Sequence, residues 1–379
     1  MSGGGSERQM LNLLRGLDRR RFQPSLYLLY REGPLLEEVP DDVPIDAFWS
    51  RHRPPKLNWP GRIHQWQKRD LRRKLLEDQI DLTYDRLFHM AMLTGPAARG
   101  TKVARVCTIV SPPSHDLPHS DRKLLWIKKS VLRRSYGDAD RLLAVSQATA
   151  SDAALYSGID ADRFLVIPSP TDIERIDQAK VEPWKGELLD PHTEHLISIG
   201  RLSDEKGHAD LLEAFSMARA RRDHPSDKPL HLHIVGEGPE QTKLEGLATS
   251  LGIAPHVTFH GHLANPYQLL ARCQLLCLPS YYEGLPNVLL ESLVCGVPFA
   301  STRASASIEE LMSKTFQLPL AKPGSKSDMA DLILDRFVNS ERWLAKLKKG
   351  REYVEKNHSL KNWIESMQNL FEHSLRRSV

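Results

Sequence analysis

LPSYYEGLPNVLLESLVCGVP, residues 278–298, decides the fold. It closes one short apolar run, QLLCLPS at 274–280, opens a helix at Asn287, and leads into a second apolar run at 297–302. Short apolar runs separated by a helix mark parallel strands buried on both faces. The same alternation continues upstream. HLISIGR at 195–201 reads as a strand, and a helix over 207–222 puts Leu211, Leu212, Phe215 and Ala218 on one stripe. LHLHIVG at 230–236 is a strand, a helix opens at Pro239, a strand spans 256–261, and a short helix starts at Asn265. The pattern predicts five parallel strands. The loops that follow them, after residues 201, 236, 261, 280 and 302, should line one edge, where such sheets bind ligands.

The first half alternates in the same way, with strands near 24–30, 80–85, 102–110, 141–146 and 163–168, and is also expected to be doubly wound. Residues 169–194 (SPTDIERIDQAKVEPWKGELLDPHTE) are polar, hold three prolines and lack periodicity, which marks a linker. The tail from 351 to 379 predicts two short helices broken near Asn357-His-Ser, the second with Trp363, Met367, Leu370 and Phe371 at helical spacing. A length of 379 residues fits two α/β domains.

At 40% hydrophobic, 26% charged and 7% aromatic residues, the chain is neither fibrous nor disordered in composition. Cys107, Cys273, Cys277 and Cys295 form no CxxC pair, which fits a reduced, cytosolic setting. No stretch holds the roughly 20 apolar residues of a transmembrane helix, and Met1-Ser-Gly-Gly-Gly-Ser-Glu-Arg lacks the apolar core of a signal peptide. A soluble or peripheral protein is expected. The net charge of +4 conceals an asymmetry, because residues 51–150 carry 20 Lys and Arg against 9 Asp and Glu. Such a region suits an anionic membrane surface, a phosphorylated acceptor or nucleic acid; the alternative is a set of solvated helix faces.

The deciding stretch also holds two carboxylates eight residues apart. Glu283 lies in the turn and Glu291 about one turn into the helix. Gly284 permits a tight turn, and Leu285, Pro286 and Asn287 bring free N–H groups to the helix start, which suits phosphate oxygens. Glu291 can accept hydrogen bonds from a ribose diol, which leaves Glu283 for a sugar hydroxyl. Arg201 and Lys206 meet the same edge in Gly200-Arg-Leu-Ser-Asp-Glu-Lys-Gly. An arginine fork and a lysine point charge can neutralise a diphosphate leaving group, unless they pair instead with Asp204 and Glu205. Gly236-Glu-Gly follows the next strand as either a nucleobase or phosphate wall or an ordinary strand-to-helix turn.

Together, GRLSDEKGHADLLEAF, IVGEGPE, VTFHGHL, LPSYYEGLPNVLLESLVCGVP and, earlier, LLAVSQATASD and VIPSPTD resemble the family 4 glycosyltransferases, in that family's order and over nearly the whole chain. The resemblance implies an α/β fold of the GT-B type, two Rossmann-like doubly wound domains facing across a cleft. It implies an acceptor-side domain at 1–175, a nucleotide-sugar domain at 176–360, and a helix at 361–379 packing back on the first domain. The implied reaction is a retaining transfer of a hexosyl-type sugar from a nucleotide-diphosphate sugar to a glycan or lipid-linked acceptor, in cell-surface polysaccharide or glycolipid biosynthesis, without cofactor or metal. Arg201 and Lys206 then hold the diphosphate, Glu283 the sugar and Glu291 the ribose. Gly3, Gly4 and Gly5 form the loop that closes over the leaving phosphates, and His115 stands near the donor sugar's hydroxyls. His89 is an acceptor-side candidate, or else a cap or packing residue. The implied location is cytoplasmic, peripheral on the inner face of a membrane.

Three departures from the family stand out. The chain starts at the glycine loop, so either the true start lies upstream or the sheet lacks its first strand. Residues 303–310, RASASIEE, replace a glycine-rich turn before Pro-Glu, although Glu309 can stand where the family's glutamate does. Ser169 replaces a hinge asparagine. The competing readings are a catalytically poor nucleotide-sugar-binding protein of the same fold and a metal-dependent transferase using Asp138-Ala-Asp140, which precedes its strand instead of following it. A nucleic-acid reader is disfavoured, since aromatics are not interleaved with the charges. Residues 124–134, LLWIKKSVLRR, read as an interfacial helix or as a core-facing helix with a wet basic back.

Overall fold

Eleven strands form among residues 5–57, 59–114, 125–222, 228–315 and 317–376, which the computed structural model describes. Along the chain they are β1 (Leu26–Leu28), β2 (Ile45–Ala47), β3 (Leu82–Arg86), β4 (Ala104–Ile109), β5 (Arg141–Ala144), β6 (Phe164–Val166), β7 (Glu194–Ile199), β8 (Leu230–Val235), β9 (Val257–Phe259), β10 (Leu275–Leu278) and β11 (Phe299–Ser301). The chain forms two units, Met1–Pro170 with Leu360–Val379, and Thr171–Ser359. No described helix is long and apolar enough to cross a membrane.

In the first unit β3, β4, β5 and β6 pair in parallel in sequence order. Strand alternation sends Cys107, Ile109, Leu142 and Ala144 to one face, against Ala91 and Met92 of the helix Phe88–Ala98 and Leu132 and Tyr136 of the helix Leu125–Gly137. Val106 and Leu143 belong to the opposite face, with Leu13 of the helix Gly5–Gly16 and Trp363, Met367 and Phe371 of the helix Leu360–Leu375. That last helix is core material of the N-terminal unit. The strand expected at 24–30 forms as β1 but lies outside this sheet, pairing only with β2. Three residues, Ile45-Asp-Ala47, are too few for periodicity to reveal a strand.

The second unit carries one parallel sheet in the order β11-β10-β7-β8-β9. Strand order reverses between β7 and β10, so their carboxyl ends frame the crevice where doubly wound sheets take ligands. The stretch 169–194, expected to be irregular, contains the helix Ile173–Lys180. Asp172 caps it by accepting the Arg175 N–H at 3.1 Å, and Ile176 is buried. Arg351 donates to both oxygens of Asp177, at 2.9 and 2.6 Å, and these bonds hold the Asp177 carboxyl down at about 2. All four cysteines are buried and free.

One face of β7 and β8 holds a file of histidines that continues past β9. His195 Nε2 lies 3.0 Å from the Asp190 carbonyl, His195 Nδ1 lies 3.0 Å from His233 Nε2, and His233 Nδ1 lies 2.9 Å from His260 Nε2. A carbonyl only accepts, so every bond in the file runs the same way: His260 donates to His233, His233 to His195, and His195 to Asp190. His231 stacks beside them, with ring centroids 4.8 Å from His233. Burial is the main cause that lowers the His233 pKa to about 3 and that of His231 to about 4.

Candidate functional site

The carboxyl end of β7 is fixed by glycine. Gly200 N–H donates to the Val235 carbonyl at 3.0 Å, and a Cβ on Gly236, whose φ is +137°, would fall 1.9 Å from the Gly200 oxygen. A Cβ on Gly238 would likewise fall 2.1 Å from the Leu202 oxygen. The Gly236-Glu-Gly turn therefore packs against residues 200–202 and sets the strand end that carries Arg201. Arg201 is exposed, and no ion pair or side-chain hydrogen bond engages its guanidinium among the described residues.

The loop after β7 is joined to the loop after β10. Gly207, with φ +68°, lies where a Cβ would be 2.3 Å from the Pro279 oxygen, and Tyr281 N–H donates to the Glu205 carbonyl at 2.9 Å. Across this seam Lys206 Nζ donates to Glu283 Oε1 at 2.7 Å, and the Ser280 hydroxyl donates to the same oxygen at 2.7 Å. Glu283 is 10% exposed and Lys206 27%. The expected alternative does not occur, because Asp204 faces Lys243 at 3.5 Å and Glu205 accepts the Ser203 hydroxyl.

Gly284 is buried and is absent from the described glycines with positive φ, so the turn does not draw on the freedom expected of it. Its carbonyl accepts the Ser305 hydroxyl at 2.9 Å, and Glu283 N–H donates to the Ala304 carbonyl at 3.1 Å. Pro286 precedes the helix Asn287–Cys295, which has no side-chain cap, and Asn287 Oδ1 is buried without a partner. Leu285 lines this start, half-buried, and Glu291 sits one turn in, also half-buried. A helix N-terminus left uncapped beside cations can receive an anion.

Two family models match the chain, Glycosyltransferase Family 4 over residues 3–175 and Glycosyl transferases group 1 over residues 183–357. The chain belongs to the family 4 glycosyltransferases. A GDP-mannose-dependent alpha-(1-6)-phosphatidylinositol monomannoside mannosyltransferase of Mycobacterium tuberculosis is 28% identical to this glycosyltransferase over 305 residues, 75% of this chain and 74% of that one. The Campylobacter jejuni N-acetylgalactosamine-N,N'-diacetylbacillosaminyl-diphospho-undecaprenol 4-alpha-N-acetylgalactosaminyltransferase is 30% identical over 185 residues, 49% of this chain and 47% of that relative, so less than half of its length is spanned. The Anabaena protein HepE, solved with UDP, shares the GT-B fold at a TM-score of 0.75 and 18% identity, over 98% of this chain and 97% of its own.

The remaining candidate residues of the glycosyltransferase divide by position. Gly3, Gly4 and His115 lie outside the described residues, while Gly5 opens the helix Gly5–Gly16. His89 is exposed, with its ring 4.0 Å from that of Phe88, just after Leu87, whose φ of +75° is strained for a leucine. Glu309 is exposed and 3.6 Å from Arg303; it lines an open cavity of about 310 Å³ with Arg303, Met312 and Ser313 that includes none of Arg201, Lys206, Glu283 or Glu291. Asp138 is taken by Arg99 at 2.7 Å, and Asp140 accepts the Arg105 N–H at 2.7 Å, so both act as structural groups. Three site residues escaped the sequence reading. Ser280 lies two residues past the end of β10, beside Glu283, and Ser305 caps the helix Ala306–Lys314 by accepting the Ile308 N–H at 3.3 Å, without the Glu or Gln three residues on that would have signalled it. His208 follows Gly207 with both ring nitrogens buried and unpartnered, and burial, aided by Lys206, lowers its pKa to about 4.

Proposed function

We propose that this glycosyltransferase transfers a hexosyl-type sugar from a nucleotide-diphosphate sugar, held by the Thr171–Ser359 unit, to a glycan or lipid-linked acceptor with retained anomeric configuration. The observation that carries the proposal is the joined seam at the carboxyl ends of β7 and β10. There Arg201, unpaired among the described residues, a Lys206 held by Glu283 and an uncapped helix start share one sheet edge. Those three groups supply positive charge where a diphosphate departs, the role that a divalent cation fills in other transferases, so a metal-independent reaction is proposed. Glu283, bonded by Lys206 and Ser280, keeps a second oxygen for a sugar hydroxyl. Support for a lipid-linked acceptor comes from relatives named for phosphatidylinositol and undecaprenol acceptors, and the reading of a peripheral placement on the inner membrane face is supported by the basic region at 51–150. The test is a thermal-shift panel of UDP-, GDP- and ADP-sugars, in which a true donor raises the melting temperature. A panel without any shift, an inverted product, or activity abolished by chelator would each count against it.

A further inference from the structure

We propose that the helices Leu125–Gly137 and Gln147–Ser157 form one face that docks on an anionic lipid bilayer, an inference that rests on the peripheral reading above and gives it a location. Trp126 is 74% exposed, Ile127 37% and Leu155 88%. Lys129 and Arg133 follow Trp126 at three and seven residues, so a tryptophan and two cations share one stripe of the first helix. The stripe continues onto the second helix. Lys129 Nζ lies 4.4 Å from the centre of the Tyr156 ring, and the Arg133 guanidinium lies beside Gly158, the residue that ends that helix.

Charge complementarity identifies the occupant. The first helix holds Lys128, Lys129, Arg133 and Arg134 and no acid, and Asp152 is the one acid on the second. Asp152 accepts both the N–H, at 3.1 Å, and the hydroxyl of Ser114, so it does not offset the cations freely. A bilayer interface takes an indole at headgroup depth, an aliphatic side chain below it, and cations against anionic headgroups. A nucleic acid would stack its bases on exposed aromatic faces, whereas here Lys129 covers the Tyr156 ring and the most exposed large apolar side chain of the face is Leu155.

The test is co-sedimentation of the full chain with phosphatidylcholine vesicles with and without phosphatidylglycerol, at low and high salt. Binding should require phosphatidylglycerol and weaken with salt. The double variant Lys129→Glu, Arg133→Glu should lower partitioning about tenfold or more. Trp126→Ser with Leu155→Ser should weaken the salt-resistant part, with the melting temperature of each variant unchanged because the replaced side chains are exposed. Vesicle binding by wild type that all variants retain overturns this face while leaving peripheral placement standing. Absence of wild-type binding to any vesicle overturns both, and preference for a single-stranded oligonucleotide over vesicles overturns the lipid assignment.

Discussion

At Lys206 the chain sets a cation against a carboxylate that is 10% exposed, and removing one partner leaves the other poorly solvated. Lys206→Ala should cut kcat by about 10²- to 10³-fold, the usual loss for one donor aimed at developing charge. Glu283→Gln should leave the fold intact while freeing Lys206, so transfer should fall but nucleotide-induced thermal shifts should persist. Unchanged turnover in both variants would place the donor site elsewhere. Ser305 tests a different quantity. It caps the helix Ala306–Lys314 through the Ile308 N–H and donates to the Gly284 carbonyl, so Ser305→Ala should cost about 1 kcal/mol in a denaturation series. The sequence displays Arg201, Lys206, Glu283 and Glu291, the proposed donor cluster, at one sheet edge but not the pairing of Lys206 with Glu283. Lys206 and Glu283 are separated by 77 positions, and only the close approach at Gly207 and Pro279 makes them partners. His208 stayed hidden because a lone histidine at a helix start carries no periodic signal.

Strands and helices were legible where burial is two-sided. Every residue of β10 is buried, and that produces the unbroken apolar run from which the C-terminal sheet can be read. β2 and the helix Ile173–Lys180 were not, the first because three residues show no period and the second because prolines at 170 and 183 flank one short apolar stripe. The turn Gly236-Glu-Gly belongs to this scale too. Gly236→Ala places a methyl against the Gly200 oxygen at a φ of +137° and should cost about 1–3 kcal/mol, read as a lower denaturation midpoint. The histidine file gives the C-terminal sheet a pH dependence. His231 and His233 have folded pKa values below 6.5, so the unfolded chain binds more protons as pH falls from about 6.5 to about 4. Stability contributed by these neutral imidazoles is complete above that window and is lost on acidification. His208 acts in the same direction. The groups facing the file are Glu187 beside His260, which opposes the trend, and Arg219 and His256 beside His231, which reinforce it. A melting temperature constant from about pH 7 to about pH 5 would contradict this account.

The whole molecule follows a path in which the second unit is inserted in the first. Trp363, Met367 and Phe371 complete a core begun by Leu13, Val106 and Leu143, so Trp363→Ala should destabilise the N-terminal unit by about 3–5 kcal/mol. Nucleotide-induced stabilisation of the Thr171–Ser359 unit should survive that change, which differential calorimetry with and without nucleotide can check. The insert is closed at its ends: Thr171 N–H donates to the His358 carbonyl at 2.8 Å, and Thr171 bridges Ser359 in parallel. This has a consequence for synthesis on the ribosome. The segment Met1–Pro170 is made before residues 171–359 and the helix Leu360–Leu375 after them, so that segment closes its core only once the whole inserted unit has been synthesised. A nascent chain whose residues 360–375 are still held in the ribosome would leave Leu13, Val106 and Leu143 without the cover of Trp363, Met367 and Phe371, an open apolar face for a chaperone to hold.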